Sequence, residues 1–234
     1  MKIYSKVFLW MFIGLLLTFI TGVYVSTNEN ILRFIFGGSG YIFIIIAEIA
    51  TVIFLTARIR KMSATAARIS FLLYSFLTGL TFSSIFIIYE LSSILIIFLV
   101  AAILFGIFAL IGKFTNIDLT KFGTFLMMGL LGIVICYIIN IFLGNETFDI
   151  IITSISLLLF LGYTAYDIQK IKYLECEISE DNLAIYGALE LYLDFINILL
   201  DLLRLFGKSR DYDMNPVSWT KETGFLYVKI NLWR

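Results

Sequence analysis

Long apolar stretches alternate with short polar breaks along the whole chain up to about residue 210. Crossing the hydrocarbon core of a bilayer as a helix takes about 20 predominantly apolar residues. Seven stretches meet that requirement, at roughly 7–26, 40–57, 69–89, 92–112, 123–144, 149–167 and 183–204. The breaks carry Thr27-Asn28-Glu29-Asn30, Arg60-Lys61-Met62-Ser63, Lys113-Phe114-Thr115-Asn116 and Gly144-Asn145-Glu146. Ile and Phe richness would suit strands in water, but runs of this length decide for helices. Inside lipid the backbone has no water to bond to, so a spanning segment must satisfy itself as a helix. The first stretch follows Lys2 and Lys6, as a signal peptide would. It is longer than the apolar core of such a peptide and lacks a small-residue cleavage site, so it reads as a retained first span.

Composition agrees with the pattern. Of 234 residues, 61% are hydrophobic and 15% charged, with mean hydropathy +0.99. A soluble domain carries about 25% charged residues. Net charge is zero, so no basic field points to nucleic acid. There is no His, which excludes His-based triads, His zinc sites and His pH switches. Cys136 falls in an apolar run and Cys176 in a charged loop, a pattern that predicts free thiols and no disulfide framework.

Loop charges predict the orientation. Arg58, Arg60, Lys61 and Arg68 follow the second span, Lys113 and Lys121 the fourth, and Lys170 and Lys172 the sixth. The loops after spans three and five have no Lys or Arg, which places the N-terminus and the even loops in the cytoplasm. Seven crossings then put the C-terminus outside, against the pull of Arg204, Lys208 and Arg210. The seventh segment either crosses despite them or enters and returns, and its length favours crossing. The chain therefore divides into a seven-helix membrane domain, 1–211, and a tail, 212–234, that is disordered, interfacial or a vector-derived or read-through extension. That tail holds Pro216, Trp219 and Trp233.

Ionisable groups within spans are costly and tend to face a bundle interior. Glu190, Asp194, Asn197 and Asp201 in the last span are spaced i, i+4, i+7 and i+11. At 3.6 residues per turn they fall within about 60° of arc, with Tyr186 and Arg204 extending the stripe. Such a helix either lies on the membrane surface or sits centrally with its polar face against partners. An acidic face argues against the surface position, where Lys and Arg are favoured. The sixth span ends Tyr163-Thr164-Ala165-Tyr166-Asp167-Ile168-Gln169-Lys170, with Asp167 about one turn from Tyr163 and Lys170. The second span carries Glu48 in mid-run and Arg58 near its cytoplasmic end, on roughly the same helical side, whereas Arg60 points away. Asp194 lies about 16 Å into its span at 1.5 Å per residue, so Asp167, Asp194 and Arg58 share the cytoplasmic half. Two close carboxylates tend to share a proton and titrate as a pair. Carboxylates are also the hard oxygen ligands that Ca²⁺ prefers.

These residues resemble the transmembrane Bax-inhibitor-motif family. The likeness rests on Tyr166-Asp167-Ile168-Gln169-Lys170-Ile171-Lys172, on Leu191-Tyr192-Leu193-Asp194-Phe195-Ile196-Asn197 and on Tyr74 through Phe82. Ala47-Glu48 with Arg58 and Asn140-Ile141-Phe142 add to it, and together the matches cover about residues 1–210. The resemblance implies an all-α integral membrane protein with six helices in two three-helix layers around a central acidic C-terminal helix. It also implies a pH-sensitive passive calcium leak, gated by a hydrogen-bonded aspartate pair tethered to an arginine. Carried onto this sequence, the pair is Asp167 and Asp194, which are also the candidate metal contacts. The arginine is Arg58 by the helical-face argument, with Arg60 the other choice. Glu48, Glu190, Asn197 and Asp201 become the candidate ion pathway. Ca²⁺ enters as the transported ion, with no permanently bound cofactor, and the bilayer as the surrounding partner.

A second reading is a non-transporting regulator that binds a membrane protease or another membrane protein, with the pair purely structural. An intramembrane aspartyl protease would also use two facing aspartates, but the Gly-x-Gly-Asp motif of such enzymes is absent. Richness in Ile, Phe and Asn with a single Pro suits an AT-rich bacterial genome and so a bacterial inner membrane.

Overall fold

A computed structural model describes residues 2–38 and 40–210, and the tail expected from residue 212 lies outside the described residues. Eight α-helices follow one another: α1 Lys2–Ser26, α2 Glu29–Phe36, α3 Gly40–Arg58, α4 Ala64–Ile88, α5 Leu91–Phe114, α6 Gly123–Leu143, α7 Glu146–Leu174 and α8 Glu180–Phe206. A short 3₁₀ turn, Leu119–Phe122, precedes α6. Among the described residues no strand forms, and extended pairing is limited to one antiparallel bridge between Tyr89 and Ser209. Seven helices, all but α2, are long and apolar enough to cross a membrane, in agreement with the seven predicted spans.

Local chemistry sets where these helices begin and end. Asn28, Ser63 and Asn145 each turn a side-chain oxygen onto a free backbone N–H of the first turn, at Ile31, Ala66 and Phe148. Gly144, with φ +60°, takes the left-handed conformation that ends α6 without a Cβ penalty. Helix α2 is not among the predicted elements. It arises because Asn28 caps an eight-residue amphipathic segment whose Ile35 and Phe36 pack with Val25 and Tyr41. Helix α7 runs past its predicted bounds at both ends, so Asp149 lies in its first turn and Asp167 two turns short of its last residue. Helix α4 likewise starts at Ala64 rather than at 69 and takes in Arg68.

The helices fall into two compact units. Among the described residues, the first joins those up to Met11 with Ser92–Gly207, and the second comprises Phe12–Leu91 with Lys208–Arg210. In the first unit α8 packs against α7, and α7 also packs against α6. Glycine permits a very close approach of α5 to α7, because a Cβ built at Gly112 would stand 2.2 Å from the Ala165 carbonyl oxygen. Phe195 of α8 meets Phe98 and Phe105 of α5 edge-on, with ring centroids 5.2 and 5.7 Å away. In the second unit the Thr18 hydroxyl of α1 donates to the Ser75 carbonyl of α4 at 2.9 Å, and Gly79 lies against Thr21. Lys208 and Glu90 form an ion pair at 2.8 Å beside the bridge.

Burial separates the helices by role. The most apolar window of α8 is 78% buried, against 50% for α4 and 11% for α3. The low value for α3 leaves Ile42, Phe43, Ile46, Ile49 and Ile53 exposed, a face suited to lipid chains. The acidic last helix is thus the most enclosed one, which rules out the surface-lying alternative for its polar stripe.

Candidate functional site

Asp167 and Asp194 meet within the first unit. They are 2% and 4% exposed, and the two carboxyls lie in electrostatic reach of each other across the packed α7 and α8. Asp194 Oδ2 is buried and has no donor among the described residues. A carboxylate can only accept hydrogen bonds. A buried carboxylate oxygen without a donor, close to a second carboxylate, is costly unless a proton or cation offsets the charge.

One cation is held at the pair. Lys170 Nζ lies 3.5 Å from Asp167 Oδ1 and 3.7 Å from Glu190 Oε1. It also sits over the rings of Tyr166 and Tyr186, 5.6 and 5.2 Å from their centroids. Tyr163 is in electrostatic reach of Asp167, Asp194 and Glu190 together. Two carboxylates, Asp167 and Glu190, therefore flank one ammonium, with Asp194 in electrostatic reach, in a setting of three tyrosines. Helical spacing explains the gathering: Asp167 and Lys170 are i, i+3 on α7, and Glu190 and Asp194 are i, i+4 on α8.

A second polar cluster lies further along α8. Arg204 Nε is 2.9 Å from Asp149 Oδ2, a contact off the axis of its N–H, and the guanidinium lies 5.0 Å from the Tyr137 ring centroid. Asn140 donates to the other Asp149 oxygen at 3.2 Å and accepts from the Asn145 backbone N–H at 3.2 Å. Asp201, 7% exposed, is neighboured by Ser156, Tyr137 and Arg204. Asn197 turns back to its own helix, donating to the Leu193 carbonyl at 2.8 Å.

The other predicted residues belong to the second unit. Glu48 on α3 accepts from the hydroxyls of Thr78 and Thr81 on α4, at 2.7 and 3.3 Å. Those threonines are the mid-span partners its charge calls for. Arg58 is exposed on the last turn of α3, and Arg60 follows it in the turn beyond. Reading the sequence for the site passed over Lys170 and Glu190 as an ion pair, and also Asp149, whose link to Arg204 bridges 55 positions of the chain. Among the described residues no set of three or more His, Cys, Asp or Glu converges to hold a metal ion. A resident Ca²⁺ takes about six to eight oxygens, more than two carboxylates offer.

An enclosed acidic helix with buried carboxyls, among seven helices long and apolar enough to cross a bilayer, defines a polytopic membrane protein. The comparisons put a family to that class. A family model described as inhibitor of apoptosis-promoting Bax1 matches residues 1–211, and the chain belongs to this Bax inhibitor family. Inner membrane protein YbhL of Escherichia coli K12 is 43% identical over 213 residues, covering 88% of this chain and 91% of that protein. A protein of uncharacterized role from Borreliella burgdorferi is 38% identical over 216 residues, covering 90% and 93%. One from Rickettsia prowazekii is 33% identical over 210 residues, covering 88% and 89%. The chain is an integral protein of a bacterial inner membrane.

Proposed function

We propose that this protein is a passive calcium leak whose opening is controlled by a proton shared between Asp167 and Asp194. The observation that carries the reading is a buried, donor-free oxygen on Asp194, a carboxyl in electrostatic reach of the buried Asp167. With a proton between them the carboxyls form a short O–H···O bond that joins α7 to α8. Without it two anions face each other, and at 4 Å and an effective dielectric near 20 they repel by about 4 kcal/mol. That exceeds the roughly 1.4 kcal/mol that shifts a two-state population tenfold, so losing the proton biases the α7–α8 contact toward a different packing. Lys170 sets where this happens by offsetting the negative charge of Asp167 and Glu190.

Calcium is the cargo in this reading. The pair would give it two transient oxygen contacts, and Glu190, Asn197 and Asp201 continue the polar face along α8. Glu48, held by its threonine hydroxyls in the second unit, is assigned to ion passage by the family resemblance. Arg58 as the tether belongs to the same proposal. Arg58→Ala should move the pH midpoint of flux upward, and Arg60→Ala should leave it in place.

The test is Ca²⁺ entry into liposomes containing the purified full chain, compared with protein-free liposomes between about pH 5 and 8. Flux that depends on the protein and on pH supports the leak. Entry equal to that of empty liposomes at every pH rejects it in favour of a regulator that binds a membrane partner without transporting.

A further inference from the structure

We infer that the protein carries a binding site for the phosphate headgroup of an anionic phospholipid, separate from the aspartate pair. The site is a cleft of about 140 Å³ in the first unit, between the start of α1, the loop after α5 and the last turns of α7. Its basic walls are Lys113 and Lys172, both exposed. A cleft of this size holds a headgroup rather than a single water.

Side-chain contacts from distant positions fix the cleft. Gln169 binds the loop at two points, accepting from the Leu119 backbone N–H at 2.6 Å and donating to the Ile117 carbonyl at 2.9 Å. The Tyr4 hydroxyl donates to the Ile168 carbonyl at 3.1 Å, and Lys113 Nζ lies over the Tyr4 ring at 5.7 Å. Loop, α1 and α7 are therefore held in one arrangement, with two ammonium groups beside a concave polar surface.

One carboxylate also lines the cleft, and its charge is already answered. Asp118 accepts from the backbone N–H and the hydroxyl of Thr120 and pairs with Lys121 Nζ at 3.8 Å. The Thr120 hydroxyl bond, helped by the backbone bond and by Lys121, holds the Asp118 carboxyl below its usual range, so it stays a bonded anion rather than a free acid. Lys113 and Lys172 form no such ion pair with a carboxylate among the described residues, so the lining carries two ammonium groups against one carboxylate, with Glu175 in electrostatic reach of Tyr4 at its edge.

The surroundings select a lipid over a dissolved anion. Phe114, Ile117 and Tyr173 around the cleft are 70%, 63% and 57% exposed. A site for free phosphate has no use for large apolar side chains held in the open. A phospholipid needs both, a basic polar cleft for its headgroup and an apolar margin for the start of its chains. The cleft is lined by Lys113 and Lys172, which follow the fourth and sixth spans, on the side that loop charge predicts to be cytoplasmic and where anionic lipid and basic residues attract each other.

The experiment uses the purified full chain in detergent, offered phosphatidylglycerol and phosphatidylcholine in equal amounts, with bound lipid read by native mass spectrometry. Phosphatidylglycerol should be retained in preference, and Lys113→Gln with Lys172→Gln should weaken it at least tenfold, at about 1 kcal/mol per lysine near the surface. Lys61→Gln, on a different loop, should leave retention unchanged, and the Arg pair Lys113→Arg with Lys172→Arg should restore it. Folding of each variant is followed by its helical circular dichroism. Millimolar inorganic phosphate should not displace the lipid. Equal retention of the two lipids, or equal loss on Lys61→Gln, overturns the site. Displacement by inorganic phosphate with the same lysine dependence overturns the lipid assignment in favour of a free anion.

Discussion

Replacing Lys170 by Gln removes the ammonium shared by Asp167 of α7 and Glu190 of α8, while keeping a side chain of similar length. Its Nζ stands 3.5 Å from Asp167 and 3.7 Å from Glu190. At such distances a unit pair is worth about 1 kcal/mol in water and about 4 kcal/mol at an effective dielectric near 20. The lysine side chain is 28% exposed, so its contribution falls between those limits. With roughly 1.4 kcal/mol per tenfold change in proton occupancy, the variant should displace the pH midpoint of calcium flux by about one to two units. The direction is upward, because a lost positive neighbour makes ionised carboxylates less favourable and the shared proton is kept to higher pH. The assay is a trapped calcium indicator in proteoliposomes stepped through the pH range. A midpoint that moves downward contradicts the sign. An unmoved midpoint shows that Lys170 is not electrically coupled to the gate.

Other outcomes test the packing and the topology. Gly112→Ala would place a Cβ 2.2 Å from a backbone oxygen of α7 and should cost about 1–3 kcal/mol, lowering the thermal midpoint in detergent. Gly106→Ala, with nothing within 4 Å of the new carbon, should lower it not at all. Asp149→Asn and Arg204→Gln should each destabilise by about 1–3 kcal/mol, and the double variant by less than their sum, since each breaks the same partly buried pair. In a Cys136→Ala background, native Cys176 should be labelled from the cytoplasmic side and Ser209→Cys from the opposite side. Labelling of both from one side would make α8 a re-entrant helix.

The spans were legible because the thickness of a bilayer imposes a length that apolar runs of this chain meet and its polar breaks interrupt. Helix α2 escaped because eight residues are too few for that criterion, and its identity rests on the Asn28 cap and on contacts of Ile35 and Phe36. The ends of α7 escaped because Glu146, Asp149 and Lys172 can extend a helix beyond the apolar region while hydropathy stops at the charge. The stripe on α8 was legible from helical period alone, and so was the nearness of Lys170 to Asp167. Contacts set by tertiary packing left no local trace. Glu48 with Thr78, Asp149 with Arg204, and Gln169 with the Ile117–Leu119 backbone join residues 30 to 55 positions apart.

The shared proton is tested most directly by comparing calcium flux against pH for the natural chain, Asp167→Asn, Asp194→Asn and the double variant in proteoliposomes. Each single change removes one member of a two-carboxyl unit, so each should flatten the pH dependence, and the double variant should add little. Retained protein-dependent flux with a flat profile in all three variants is the predicted result. An unchanged pH profile in Asp167→Asn and Asp194→Asn would show that the pair is structural and that the gate does not run on its proton.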